Sequence, residues 1–195
     1  AYAVPACIAI NKCDLYDEEE MEYALGVKHL YDTVGYATEL VSATTGEGLE
    51  WLRNRLHGKL ALFSGNSGVG KSSLINSLIP GLNLKTGELS VQHDMGMHTT
   101  TFSEMYPIPD GGYIIDTPGI KGFGTIDFEP ATVAHYFPEI FAISHNCRFN
   151  NCTHRNEPGC AVLKALEEHY ISQSRYASYL SIIEDHEEGK YRTGY

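Results

Sequence analysis

Apolar residues in this chain fall in short runs, each followed by a polar or glycine-rich loop and then by apolar positions at helical spacing. Residues 4–10 read as a buried parallel strand, with Cys7 as a small core residue. Residues 17–30 read as a helix with an acidic start, its inward positions being Met21, Leu25 and Leu30. A second strand is predicted over 37–41, and Leu49, Trp51, Leu52 and Leu56 then predict a helix that His57-Gly58 ends. Residues 59–65 predict a third strand, followed by a glycine loop and a helix beginning at Ser72. Strand, loop and helix repeat, so the expected class is α/β, with loops at the carboxyl ends of the strands as the ligand edge of one sheet.

Periodicity is lost over residues 81–101, which predicts a long loop. Strands are expected at 102–106 and 113–115, joined by the turn Pro109-Asp110-Gly111-Gly112. After Cys147 the pattern becomes helical. Val162, Ala165, Leu166, His169 and Tyr170 share one face, and Tyr176, Tyr179, Leu180 and Ile183 share another. These shifts predict a main domain over 1–140 and a small, mostly helical domain over 141–195.

The loop Gly65-Asn66-Ser67-Gly68-Val69-Gly70-Lys71-Ser72, with Ser73 next, fits G-x-x-x-x-G-K-[ST] between a predicted strand and a predicted helix. Its glycines let backbone N–H groups converge on phosphate at a helix N-terminus, Lys71 would reach the β- and γ-phosphates, and Ser72 would ligate Mg²⁺. A bare glycine turn is the competing explanation, but the four fixed positions match by accident only about once in a hundred chains of this length. Asp116-Thr117-Pro118-Gly119 also ends an apolar run. There Asp116 would hold the Mg²⁺ shell through water, and the Gly119 N–H would sense the γ-phosphate.

Asn11-Lys12-Cys13-Asp14 ends the first strand. A carboxylate at Asp14 can accept from guanine N1–H and the exocyclic amine, whereas adenine offers neither donor. Asn11 would brace the loop, the Lys12 stem would cover the base, and Ser42-Ala43-Thr44 would present the Ala43 N–H to guanine O6. Alone this tetrapeptide is an ordinary solvated turn. With the phosphate loop it selects GTP over ATP, although the base motifs precede the phosphate motifs, the reverse of the usual order. Moving the chain break preserves such a site when the old termini can be joined.

Net charge of −11 argues against coating free nucleic acid, DNA included. The acidity lies in residues 1–146, with 18 acidic and 8 basic side chains, against 7 and 6 in 147–195. No run of eighteen apolar residues and no signal-peptide pattern occurs, so the expectation is a cytoplasmic protein with no membrane partner, and a monomer. Five cysteines, an odd count, suit a reducing compartment. The missing initiator Met suggests a fragment.

The motifs Asn11-Lys12-Cys13-Asp14, Ser42-Ala43-Thr44, the 65–73 loop, Gly96-Met97-His98-Thr99-Thr100-Thr101, Asp116-Thr117-Pro118-Gly119 and the stretch 147–162 resemble the ribosome small-subunit-dependent GTPase A family across nearly the whole chain. That resemblance implies a circularly permuted P-loop GTPase domain with a small helical zinc-binding subdomain. It also implies hydrolysis of GTP to GDP stimulated by the 30S subunit, a role in late 30S maturation with 16S rRNA as partner, and an upstream OB-fold domain. Met97 departs from the arginine usual in the family. Thr100, with Thr99 or Thr101 as alternatives, is the expected switch threonine for Mg²⁺. Ile120 stands where Ras-like enzymes carry a water-positioning glutamine, so His98 is the candidate for that task, alongside the simpler reading of an exposed loop histidine.

Cys147, Cys152, His154 and Cys160 offer three thiolates and one imidazole, the donor set of a closed structural Zn²⁺ site. The spacing also suits reduced core cysteines, but the turn-forming Asn156-Glu157-Pro158-Gly159 and the resemblance favour zinc. Arg148 and Arg155 flank the ligands as candidates for rRNA phosphate, or as solvated surface charge. Two further readings stand beside the GTPase: an ATP-using P-loop enzyme, and a zinc-stabilised RNA-binding module with a vestigial nucleotide site.

Overall fold

The computed structural model describes residues 4–85, 103–117 and 130–187. His98, Thr99, Thr100, Thr101, Gly119 and Ile120 lie outside those residues. The chain divides into two compact units, Ala6–Gly122 and Phe123–Tyr195 with the first five residues. That division falls earlier than the boundary expected near residue 140, because the helices on both sides of residue 140 share one core, described below.

In the first unit, strand β1 (Cys7–Asn11) leads into helix α1 (Glu18–Val34). The Asp17 carboxylate accepts from the Glu20 N–H at 2.9 Å and Glu20 accepts from the Asp17 N–H at 3.1 Å, a reciprocal cap that starts the helix. Glu18, Glu19 and Glu20 put negative charge at its positive end. Ala24, not Leu25, is the buried position; Leu25 is exposed, and Ala24 packs with Cys13 and Leu40. Strand β2 (Ala37–Val41) pairs in parallel with β1, Ile10 opposite Leu40.

Helix α2 (Leu49–Leu56), strand β3 (Lys59–Phe63) and helix α3 (Lys71–Leu78) follow. Strand β4 (Glu104–Pro107) and strand β5 (Gly112–Asp116) form an antiparallel hairpin, and β5 pairs in parallel with β3, Ala61 opposite Ile114. Leu49, Leu52 and Leu56 of α2 and Leu74, Ile75 and Leu78 of α3 pack on one face of this sheet around Val41, Ile108 and Ile114. Burying each such side chain contributes roughly 1.5–3 kcal/mol.

The single sheet expected from the sequence is, among the described residues, two: β1 with β2, and β3 with β5 and β4. The edges of β1 and β3 away from these partners make no strand pairing within the described residues. Cys7 is exposed instead of buried, and Leu60, Leu62 and Met105 are exposed on their strands.

The second unit is helical. Helix α4 (Pro130–Val133) runs through a 3₁₀ turn (Ala134–Tyr136) into helix α5 (Pro138–Ser144), and helix α6 (Ala161–Glu167) and helix α7 (Gln173–Glu187) follow the cysteine loop. Val133, Phe137, Ile140, Val162, Ile171, Tyr179 and Ile183 form its core. Phe137 and Tyr179 meet edge to face at 5.6 Å. Arg175 bridges both Glu139 oxygens at 2.7 and 3.2 Å and lies 4.7 Å over the Phe137 ring, which ties α7 to α5. His169 and Tyr170, expected on the inward face, lie beyond the end of α6 and are exposed; the left-handed backbone at His169 (φ 62°) turns the chain so that Ile171 enters the core. Among the described residues no helix is long and apolar enough to cross a membrane.

Candidate nucleotide and metal sites

The carboxyl ends of β1, β2, β3 and β5 each carry one of the sequence motifs, at Asn11, Ser42, Ser64 and Asp116 in turn. The base-reading and phosphate loops, far apart in sequence, touch directly. Asn11 Nδ2 donates to the Val69 carbonyl at 2.9 Å, and the Lys12 ammonium donates to the Gly68 carbonyl at 2.7 Å. Gly70 has φ 89°, a left-handed backbone that favours glycine, and a Cβ there would displace the Asn11 amide.

Ser42 is fully buried and organises the other side. Its hydroxyl donates to Asp14 Oδ1 at 2.5 Å and accepts from the N–H groups of Thr44 and Thr45 at 3.1 and 3.0 Å. Asp14 itself is exposed at the mouth. Asn11 Oδ1 accepts a long bond, 3.4 Å, from the Ala43 N–H that sequence reasoning reserved for guanine O6. Cys13 is buried; its thiol donates to Glu47 Oε2 at 3.5 Å, and burial pushes its pKa up. The Ser77 hydroxyl donates to the Ala43 carbonyl at 2.9 Å, fixing the Ser42–Thr45 turn to α3.

In the phosphate loop the Lys71 ammonium donates to the carbonyls of Gly65 and Asn66 at 2.7 and 3.0 Å. Burial lowers its pKa, and the Asp116 charge opposes that shift. Asp116 is 1% exposed, and Thr117 Oγ1 next to it donates to the Phe63 carbonyl at 2.8 Å, so the ends of β3 and β5 are tied together. The Ser72 hydroxyl and the Asp116 carboxylate are hard oxygen donors of the kind Mg²⁺ takes. Ser67 and Asn66 are exposed and Ser73 is half-buried on α3.

Cys147, Cys152, His154 and Cys160 bring their ligand atoms within 4.8 Å of one another. Cys147 Sγ and Cys160 Sγ are 3.9 Å apart, and His154 Nδ1 lies 3.6 and 3.5 Å from them. Zinc bonds of ~2.3 Å to sulfur and ~2.05 Å to nitrogen, arranged tetrahedrally, require edges of ~3.8 and ~3.5 Å, which the spacings among Cys147, Cys160 and His154 match. Burial pushes the Cys152 thiol up to about 12, raises Cys160 and lowers His154. Neutral thiols are thus favoured unless a cation offsets the cost of buried thiolates.

The residues that shape this loop lie outside its set of candidate ligands. Glu157 accepts four hydrogen bonds from its neighbours, and their strength holds its carboxyl down at about 2 despite partial burial. Its signal was being the one acid within the ligand stretch. Tyr176 and Tyr179, read only as helix-face residues, donate to the carbonyls of His154 and Thr153. Arg155, a candidate for rRNA, pairs with Glu187 at 2.9 Å, whereas the Arg148 guanidinium lies exposed, 5.4 Å over the Phe149 ring.

A sequence model described as RsgA GTPase matches residues 1–126. The small ribosomal subunit biogenesis GTPase RsgA of Bacteroides fragilis (strain YCH46) is 62% identical over 195 residues, which are 100% of this chain and 63% of that protein. The corresponding protein of Phocaeicola vulgatus is 56% identical with the same coverage. The chain thus spans 63% of the length of these relatives. The crystal structure of YjeQ from Thermotoga maritima superposes with a TM-score of 0.76 at 36% identity, covering 92% of this chain and 59% of that one. YloQ, described as a circularly permuted GTPase, gives 0.73 at 29% identity, covering 95% and 58%. The motif order, base loop before phosphate loop, is therefore that of a permuted GTPase fold, and the chain belongs to the RsgA GTPase family.

Proposed function

We propose that this chain is the GTP-hydrolysing part of a factor acting in biogenesis of the small ribosomal subunit, cytoplasmic, with hydrolysis stimulated by the subunit and with 16S rRNA as part of the surface it meets. The observation that carries this reading is the pair of bonds from Asn11 and Lys12 to the carbonyls of Val69 and Gly68, which supports one site because it brings the two candidate loops into contact. The relatives' printed names supply the ribosomal subunit.

In this reading Asp14, held by Ser42, accepts from the Watson–Crick edge of guanine, and the Lys12 stem lies along the base. The N–H groups of the 65–72 loop receive the phosphates, where the α3 dipole adds to their attraction. Lys71 exchanges the carbonyls of Gly65 and Asn66 for phosphate oxygens, so its charge is already in place when nucleotide arrives. Ser72 and Asp116, with Thr100 from outside the described residues, would hold Mg²⁺, which when bound neutralises charge on the β- and γ-phosphates. Gly119 senses the γ-phosphate, and His98 orients the attacking water once the ribosome sets its loop. Cys147, Cys152, His154 and Cys160 would fill all four positions of a zinc ion, leaving none for water, so the metal serves structure.

The decisive assay is release of phosphate from GTP with and without purified small subunits. Stimulated GTP hydrolysis is expected. Equal use of ATP would favour the ATP-using reading, and nucleotide-independent RNA binding with no hydrolysis would favour the RNA-binding module.

A further inference from the structure

The metal loop carries a preset backbone around His154. This residue has φ 57°, in the left-handed region that residues other than glycine seldom adopt, and it is 2% exposed. Something must hold it there. Glu157 Oε1 accepts from the N–H and the hydroxyl of Thr153, both at 2.6 Å, and Oε2 accepts from the N–H groups of Arg155 and Asn156 at 2.9 and 3.1 Å. One carboxylate therefore binds the chain on both sides of His154. The carbonyls are held from the other direction, by Tyr179 OH on Thr153 at 2.8 Å and Tyr176 OH on His154 at 2.6 Å.

We infer that Glu157 is a positioning residue for the metal site: by holding the N–H groups that flank His154 it fixes the left-handed backbone that aims Nδ1 between the sulfurs of Cys147 and Cys160. It touches neither the imidazole nor a sulfur in any of these bonds, so it acts through the main chain. The inference rests on the reading of the three cysteines and His154 as a zinc site. Its consequence is that zinc meets a set of donors already in place, and that the ordering of the loop is carried by a carboxylate with four donors and not by the ion alone.

Both oxygens are needed as acceptors. Glu157→Gln keeps one and replaces the other with an amide that turns two hydrogens toward existing donors, whereas Glu157→Asp keeps the charge but is one methylene short.

The test uses the whole chain: zinc affinity and release rate by competition with a chromophoric chelator, and the visible absorption of the Co²⁺ form. Glu157→Gln is expected to weaken zinc by about 10- to 100-fold, mainly through faster release, and to change the Co²⁺ spectrum. Glu157→Asp, one methylene short, is expected to weaken zinc in the same direction by a smaller factor, and it keeps the inference testable if Glu157→Gln fails to fold. Unchanged affinity, release and Co²⁺ spectrum in Glu157→Gln would overturn the assignment, as would a loss of thermal stability equal with and without zinc. A wild-type chain that binds neither zinc nor Co²⁺ would instead remove the metal reading itself.

Discussion

The two sites are built in opposite ways. The candidate nucleotide site joins loops from the ends of separate strands, and the bonds between them, Asn11 to Val69 and Lys12 to Gly68, cross more than fifty residues of chain. The candidate metal site draws all four donors from residues 147–160, and Glu157 binds that loop from within it. One site depends on the sheets being assembled, the other on a local turn held to α7. Rearranging the chain order can therefore preserve the first site, since only the positions of the strand ends matter, while the second tolerates no interruption.

Removing zinc gives the largest expected difference between them. Zinc held by the folded form stabilises it by mass action, so chelation should lower the thermal midpoint of the helical unit, read by helical circular dichroism on heating, while the bonds to Glu157 keep the loop folded at ambient temperature. Nucleotide affinity of the first unit should change less than about threefold, within the spread expected of independent sites. A joint loss of both would mean that the sites are coupled.

His98→Ala is expected to lower subunit-stimulated turnover by about 10²- to 10⁴-fold, the range for a general acid–base group, with GTP affinity unchanged. Turnover equal to wild type would remove His98 from the mechanism. Asp14→Asn should weaken guanine nucleotides by about 100-fold, from loss of charged hydrogen bonds in a partly desolvated site, while xanthine nucleotides gain; calorimetry with both series checks this. Zinc content should not move. The smallest effect is expected for Ser42→Ala, roughly 1–2 kcal/mol in GDP binding, because the Ser42 hydroxyl orders Asp14 and two backbone N–H groups without meeting the base itself.

The sequence made each motif and its place at a strand end legible, because a fixed spacing of glycines, Lys71 and Ser72 reflects one local backbone shape. The Asp17 and Glu20 cap and the α2 face of Leu49, Leu52 and Leu56 are local in the same sense. What escaped it is what depends on distant neighbours. Cys7 and Leu25 look like core residues in any short window, yet they are exposed, because burial depends on which elements cover a strand edge or helix face. The division of one expected sheet into two is of the same kind. In the cysteine loop the cluster of Cys147, Cys152, His154 and Cys160 was legible from its chemistry, but the roles of Tyr176 and Tyr179 were not, since their hydroxyls meet carbonyls that precede them by more than twenty residues. Ser42 was expected only to flank Ala43, and its contact with Asp14 required β1 and β2 to be paired in register.

The central claim is that the loops at residues 11–14 and 65–72 form one guanine-nucleotide site. It is tested most directly by titrating the chain with a fluorescent GDP analogue and displacing it with GTP and with ATP, in wild type and in Asp14→Asn. GTP should displace the probe from wild type at concentrations at least 100-fold below those needed with ATP, as lost charged hydrogen bonds to the base imply, and Asp14→Asn should erase that gap. Equal displacement by ATP and GTP from the wild-type chain would contradict the claim.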